Sequence, residues 1–487
     1  SEKDIKMGYV GKWHVSDRKS PKDFGFDDYI PEWSYNNWRK KNNLPDYVWQ
    51  DSRWVMGGYD PVDKMQSRTH WLAQRVIEMI KKYQSEGKKW HIRFDTSDPH
   101  LPCYPVREFL EMYDKNKIQE WPNYKDNLSN KPYIQRQQIY NWELEDSDWK
   151  MWQGYLQRYF GNITQLDDAV GMVIEALKEM GVYDNTLIVY TTDHGDAAGS
   201  HNMVDKHYVM YEEEVHVPLV MKIPGVPHRI VDQFVNNQLD MAATFCDMYQ
   251  LDYKTQGESL FPLIEGKKES LGEWRKYAFS NYNGQQFGLF VQRMIRDKRM
   301  KYVWNLTDTD ELYDLESDPW ELNNLVYSKE YKVELVRMRK ALYEDLKHRR
   351  DPLIWQDAAK RQLIIKSCNI GSIITIRRIL VSNNCNISVG INNNKMYDRM
   401  KRPNITKLCL STFCALPFLS FAQKRPHIIL IFTDQQNVNA MSAAGNPFLC
   451  TPNMDALAND GIRFTNVYCT SPVSGPSRAS IVTGLMA

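Results

Sequence analysis

Residues 165–193 read QLDDAVGMVIEALKEMGVYDNTLIVYTTD. Over Gln165–Met180 the apolar residues recur at three- and four-residue spacings, the pattern of an amphipathic helix, and Gly181 closes it. Asn185 then leads into Thr186–Thr192 (TLIVYTT), a continuous apolar and β-branched run expected of a strand buried on both faces, ending in Asp193. A second such run, His427–Thr433 (HIILIFT), ends in Asp434. Helices alternating with buried strands that carry polar residues at their carboxyl ends make the doubly wound α/β plan. In that plan a mostly parallel sheet has helices on both faces, and sites form beyond the strand ends.

Working outward, Ser67–Tyr83 has helical periodicity, Trp90–Asp95 and Ile462–Tyr468 are strand-like, and Asn453–Asn459 reads as a short helix stopped by Gly461. Residues 230–355 differ in texture. Gly288–Arg293, Lys301–Asn305 and Glu311–Asp314 are short strand candidates and Glu330–Arg349 is a charged helix, which together predict a smaller α+β subdomain. The chain has 487 residues, enough for two units of this kind. Lys+Arg is 62 against Asp+Glu 61, a balance that argues against a polyanion-coating surface and so against nucleic acid as partner. It leaves room for a small buried cluster of cations. The 15 Trp and 28 Tyr suit a carbohydrate-facing cleft or a generously packed core. The 8 Cys show no CxxC spacing among Cys103, Cys246, Cys450 and Cys469, so neither a disulfide scaffold nor a thiolate zinc site is expected.

The order of the chain is unusual. Met400–Ala422 (MKRPNITKLCLSTFCALPFLSFA) has a basic start at Lys401, Arg402 and Lys407, an apolar stretch from Leu408, and small residues before Gln423. That is the plan of a secretory signal peptide, too short to span a membrane, and it works only at an N-terminus. Residues 356–399 precede it; within them Ala358–Tyr397 holds no Asp or Glu and is crowded with Ile and Asn, an abrupt composition break read as an aberrant linker. The expected organisation is therefore a catalytic α/β domain of 423–487 plus 1–229, its blocks exchanged and a piece missing between 487 and 1. The subdomain 230–355, the linker 356–399 and the signal peptide 400–422 complete it. Such a signal implies a secreted or periplasmic bacterial protein with no membrane span once cleaved.

Candidate chemistry gathers at strand ends. Asp434-Gln435, Asp193-His194 and Asp196 offer oxygen and nitrogen ligands for a hard divalent cation, although an Asp after a strand also serves as a helix N-cap. Lys12 and His14 are two apart, His100 sits in the proline-bounded Asp98–Pro102 loop, and Lys206 adds a cation. Ser474 and Arg478 are four apart at an expected helix start, so a helix would put them on one face beside amides that favour an anion.

The run Ser474-x-Pro476-Ser477-Arg478, with Ala479-Ser480 and Thr483-Gly484, resembles the signature of the type I sulfatases of the alkaline phosphatase superfamily, in its serine form. PHIILIFTDQQ (426–436), TPNMDALANDGIRFTNVY (451–468), GYVGKWH (8–14), FGFDDY (24–29), DPHLP (98–102), TTDHGD (191–196), DKHYVMYEEEVHVPLV (205–220), GESLFPLIEG (257–266) and DELYDLESDPWELNNL (310–325) resemble other segments of that family. They fall in its usual order only when the two blocks are exchanged.

The resemblance implies an alkaline-phosphatase-like fold and a sulfatase in which Ser474 is oxidised to formylglycine, whose hydrated form offers the nucleophile. It implies Asp434, Gln435, Asp193 and His194 as ligands of Ca²⁺, with Mg²⁺ an alternative because Gln435 and His194 replace commoner acidic and amide residues. Arg478, Lys12 and Lys206 would gather charge around the sulfate, His14 would assist the diol, and His100 or Lys206 would supply the proton to the departing alcohol. A radical S-adenosylmethionine maturase is the implied partner, and a sulfated carbohydrate the implied substrate. Residues outside the signatures that could meet sugar are Arg53, Trp54, Trp71, Gln285 and Gln286. Competing readings are a phosphate or phosphonate ester hydrolase on the same architecture, and an inactive product of a rearranged gene that at most binds sulfated glycans.

Overall fold

The structure is a computed structural model that describes residues 5–50, 53, 56–206, 208–266, 274–284, 290–355, 357–365 and 426–486. The expected signal peptide, most of the expected linker, and Trp54, Gln285 and Gln286 lie outside the described residues.

Eight strands form the main sheet: β1 (Ile5–Gly11), β2 (Asp28–Pro31), β3 (Lys89–Pro99), β4 (Thr186–Thr192), β5 (Leu219–Lys222), β6 (Arg229–Asn236), β11 (His427–Asp434) and β12 (Ile462–Tyr468), in the order β2-β1-β3-β11-β4-β5-β12-β6. All neighbours pair parallel except β5, which is antiparallel to both β4 and β12. All eight residues of β11 are buried. Its register runs Ile429 opposite both Ile92 of β3 and Ile188 of β4, so the block 426–486 supplies the centre of the sheet.

Side chains alternate between two cores because successive strand residues point to opposite faces. On one face Ile92, Phe94, Ile188, Tyr190, Ile429 and Ile431 pack against α1 (Arg68–Ser85), α2 (Trp149–Glu179) and α5 (Pro452–Asp460). On the other, Leu187, Val189, Leu430 and Phe432 pack with Met241 of α3 (Asn237–Tyr249) and Ile481 of α6 (Ser474–Thr483). The doubly wound arrangement is thus realised.

Several boundaries differ from expectation. Helix α2 begins at Trp149 rather than Gln165, with Asp148 accepting from the Met151 amide as N-cap. Its first half is buried on several sides, including Arg158 and Asn162, so no single apolar stripe marks it in the sequence. Strand β6 joins the main sheet and α3 packs on it, so the larger unit runs past residue 229 to Tyr249. In the smaller unit, β7 (Ala278–Asn283), β8 (Val291–Arg296), β9 (Met300–Asn305) and β10 (Glu311–Asp314) form an antiparallel sheet covered by α4 (Lys332–His348). That unit continues to residue 365 rather than 355. Ala359 and Leu363 are buried in its core, and Trp304 Nε1 donates to Gln362 Oε1 at 2.6 Å. Buried ion pairs join the two units: Arg296 and Lys301 both reach Glu212, at 2.6 and 3.2 Å. Among the described residues no helix is long and apolar enough to cross a membrane.

Candidate active site

Strands β1, β3, β11 and β4 are mutually parallel neighbours, so their carboxyl ends open on one edge. Lys12 and His14 follow β1, His100 follows β3, Asp434 and Gln435 close β11, and Asp193 and His194 follow β4. Helix α6 brings Ser474 to the same edge through its N-terminus. Lys206 arrives from the loop after β4.

The geometry at Ser474 is compact. Its Oγ lies 2.9 Å from His194 Nε2 and donates toward Asp434 Oδ1 at 3.2 Å. One atom each of Asp193, His194 and Asp434 lies within 4.8 Å of the others, and all three residues are fully buried. His194 Nδ1 faces the Gly195 carbonyl at 2.9 Å. A carbonyl only accepts, so Nδ1 carries the proton and Nε2 turns a lone pair toward Ser474 and the two carboxylates. One oxygen each of Asp193 and Asp434 and an imidazole lone pair thus gather within 4.8 Å of one another, a donor set that fits a divalent cation.

Positive charge frames these groups. Lys12 Nζ is hydrogen-bonded to Asp434 Oδ2. Burial raises the Asp434 carboxyl, but the cations Lys12, Arg478 and Lys206 outweigh it and hold the group well below the usual carboxylate range. Asp193 is also lowered: burial and Asp434 push it up, and the cations Arg478 and Lys12 are among the groups that push it further down. Lys206 Nζ donates to Gln435 Oε1 at 2.9 Å and to His100 Nε2. His100 Nδ1 faces the Leu101 carbonyl at 2.5 Å, so that nitrogen holds the ring proton and Nε2 is the acceptor. Burial, then Lys206, keeps the His100 imidazole neutral, with its pKa pushed down to about 3.

Arg478 departs from its expected place. It is fully buried beneath the site. Its Nε donates to Asp193 Oδ2 at 3.0 Å, Nη1 to Asp95 Oδ2 at 2.9 Å and the Lys12 carbonyl at 3.3 Å, and Nη2 to Asp434 Oδ2 and the Thr433 carbonyl, both at 3.3 Å. All five N–H groups are engaged, so the guanidinium orders carboxylates from below and leaves no donor for a sulfate. Gln435 also differs from a simple ligand: its oxygen meets Lys206, and its Nε2 donates to Asp196 Oδ2. His14 is exposed at the rim, and partial desolvation by the protein around its ring, then Lys12, lowers its pKa. A cavity of about 360 Å³, lined by Val15, Tyr282, Asn283, Val473, Gly475 and Pro476 among others, flanks His14 and the start of α6.

The expected proximity of Asp434 to Asp193, and of Lys12 to Arg478, is realised. Trp71 is not a sugar contact: it is 4 % exposed and packs with Tyr35 and Trp38 in the core. Sequence reasoning missed Asp95, which accepts from Arg478, Arg93 and Tyr9 and is fully buried. It also missed Gln238, whose Nε2 donates to the Asp193 carbonyl and to Ser477 Oγ. Asp95 closes an expected strand, and its polarity within a buried run was the available signal.

A family model described as "Sulfatase" matches residues 2–251 and 426–487, and one described as "N-sulphoglucosamine sulphohydrolase, C-terminal" matches residues 199–349. An arylsulfatase of Clostridium perfringens is 27% identical over 338 residues, covering 67% of this chain and 67% of that protein. An N-acetylglucosamine-6-O-sulfatase of Bacteroides thetaiotaomicron is 30% identical over 210 residues, covering 42% of this chain and 37% of that protein. The crystal structure of a phosphonate monoester hydrolase of Agrobacterium radiobacter superposes with a TM-score of 0.60 at 22% identity, over 71% of this chain and 78% of that one, a likeness of fold. The chain belongs to the sulfatase family of the alkaline phosphatase superfamily, the sulfuric ester hydrolases.

Proposed function

We propose that this sulfatase cleaves sulfate esters of glycans at the site built around position 474. The observation that carries the reading is the Ser474 hydroxyl held between His194 Nε2 and Asp434 Oδ1 at the start of a helix. Asp193, His194 and Asp434, with Gln435 beside them, would hold a divalent cation, Ca²⁺ before Mg²⁺, which supplies Lewis acidity toward a sulfate oxygen and the reacting hydroxyl. Oxidation of Ser474 to formylglycine would supply a gem-diol whose hydroxyl attacks sulfur.

The chain's own residues do the rest. Lys12 would meet the sulfate oxygens with its ammonium and Lys206 would add charge from its place beside His100 and Gln435, while Arg478 keeps Asp193 and Asp434 ionised and oriented. Because His100 Nε2 is an acceptor occupied by Lys206, Lys206 holds the proton in the resting site and passes it to the leaving alcohol directly or through His100. His14, whose backbone lies beside Gly475 of α6, would take a proton from the second hydroxyl at position 474. The relative named N-acetylglucosamine-6-O-sulfatase supports a sugar as the alcohol, and the cavity beside His14 is the space for it. We further assign the oxidation of Ser474 to a radical S-adenosylmethionine maturase. Export is assigned to the 400–422 segment, and the block order to an exchange that would set 400–487 ahead of 1–355.

Mass spectrometry of the peptide containing Ser474, from protein made in its natural host, tests the reading. Loss of two hydrogens is expected, together with aryl sulfate turnover that chelation abolishes and Ca²⁺ restores. An intact serine overturns the nucleophile, and exclusive turnover of an aryl phosphate overturns the substrate class.

A further inference from the structure

Gln435 adopts a left-handed backbone conformation (φ 67°) and is held on both sides: its N–H donates to Asp193 Oδ1 at 3.2 Å, and its carbonyl accepts from Tyr159 OH at 2.9 Å. The remaining freedom is at the amide, whose oxygen and NH₂ ends have nearly the same shape and opposite chemistry. Asp196 faces the NH₂ end. Its carboxylate accepts from four donors: Tyr155 OH at 3.0 Å and Gln435 Nε2 on Oδ2, and the amides of Ala198 at 2.6 Å and Asp205 at 3.2 Å on Oδ1. Lys206, a pure donor, faces the oxygen end at 2.9 Å. A flipped amide would press NH₂ against an ammonium and a carbonyl against a carboxylate.

We propose that Asp196 is a positioning residue that fixes the Gln435 amide so that its oxygen, and not its NH₂, is presented to the cation pocket. This rests on the cation reading above. A carboxylate at position 435 would need no such orientation, because both its ends are oxygens; an amide there does. The pair Gln435–Asp196 is then one device, in which a buried acid outside the ligand set selects the ligand atom.

Calorimetric titration of the metal-stripped full chain with Ca²⁺, and separately Mg²⁺, tests this in four proteins: wild type, Asp196→Asn, Gln435→Glu and the double variant. Asp196→Asn should weaken cation binding by about 10–100-fold in the wild-type background. In the Gln435→Glu background the same substitution should cause no loss. Tyr155→Phe, which keeps the carboxylate and removes one of its donors, should weaken binding severalfold in the wild type and not beside Glu at 435. Equal losses in both backgrounds would assign Asp196 to general structure and overturn the inference alone. Failure of the wild type to bind either ion overturns the cation reading, and this inference with it.

Discussion

Arg478 shows what one residue can and cannot disclose in sequence. Its spacing from Ser474 placed it on the right helix face, but nothing local marks the three carboxylates, Asp95, Asp193 and Asp434, that the fold sets around it from three strands. Expectation therefore put the guanidinium on the substrate, whereas its five donors are all turned to protein acceptors. Lysine cannot reproduce that fork, because its donors radiate from one atom. Arg478→Lys should cost about 3–5 kcal/mol of stability, the range for a buried ion network that loses a partner. It should also lower kcat by at least about 100-fold with a smaller change in KM, since the carboxylates lose their orientation before the sulfate-binding cations do. Urea unfolding and steady-state turnover of an aryl sulfate check both. Unchanged stability would mean that the buried charges are compensated elsewhere.

At the scale of the element, the buried strands were legible because two-sided burial leaves one signature, an unbroken apolar run. Thr186–Thr192 and Ile462–Tyr468 have the bounds expected, and the predicted His427–Thr433 is extended only to Asp434. The first half of α2 was not legible. Gly154 and Gly161, buried Arg158 and aromatics on several faces erase its period. Strand β1 ends in a requirement that no periodicity encodes. Gly11 has φ +119°, and a Cβ there would stand 1.5 Å from the Asp95 carbonyl, the same carbonyl that accepts from the Lys12 amide at 2.8 Å. Close approach of β1 to β3 is what places Lys12 against Asp434. Gly11→Ala should destabilise by about 3 kcal/mol through backbone strain and overlap. It should also displace Lys12, so turnover at a temperature well below the melting point should fall by more than about tenfold. A variant destabilised but fully active when folded would separate the strand's packing from the site.

For the whole molecule, fold class and the meeting of ten dispersed residues were legible because parallel strands must open their carboxyl ends on one side, whatever the order of the segments along the chain. Domain limits were less so: the switch from the main sheet to the antiparallel sheet falls after α3, inside the stretch 230–355 whose texture changes too early to mark it. Acid stability is a property of this scale, set by groups whose burial no local pattern reveals. His91 lies on β3 beside Phe245, with Nε2 lacking a partner, and burial, reinforced by Arg93, pushes its pKa from the ordinary 6.5 down to about 3. Between those values the unfolded chain binds a proton that the folded chain refuses. The contribution is therefore fully present above pH 6.5 and is lost as the pH falls, at about 1.4 kcal/mol per pH unit. Asp167 and Asp196, both raised to about 6 by burial, act in the opposite sense, so the wild-type curve alone does not isolate the histidine. The comparison with His91→Phe does. Relative to wild type, the variant should gain about 2 kcal/mol on going from pH 7 to pH 5, measured by urea unfolding at each pH, because the other groups cancel in the difference. A constant offset between the two proteins over that window would mean that His91 accepts its proton within the fold, and that the sheet face it shares with Phe245 admits water.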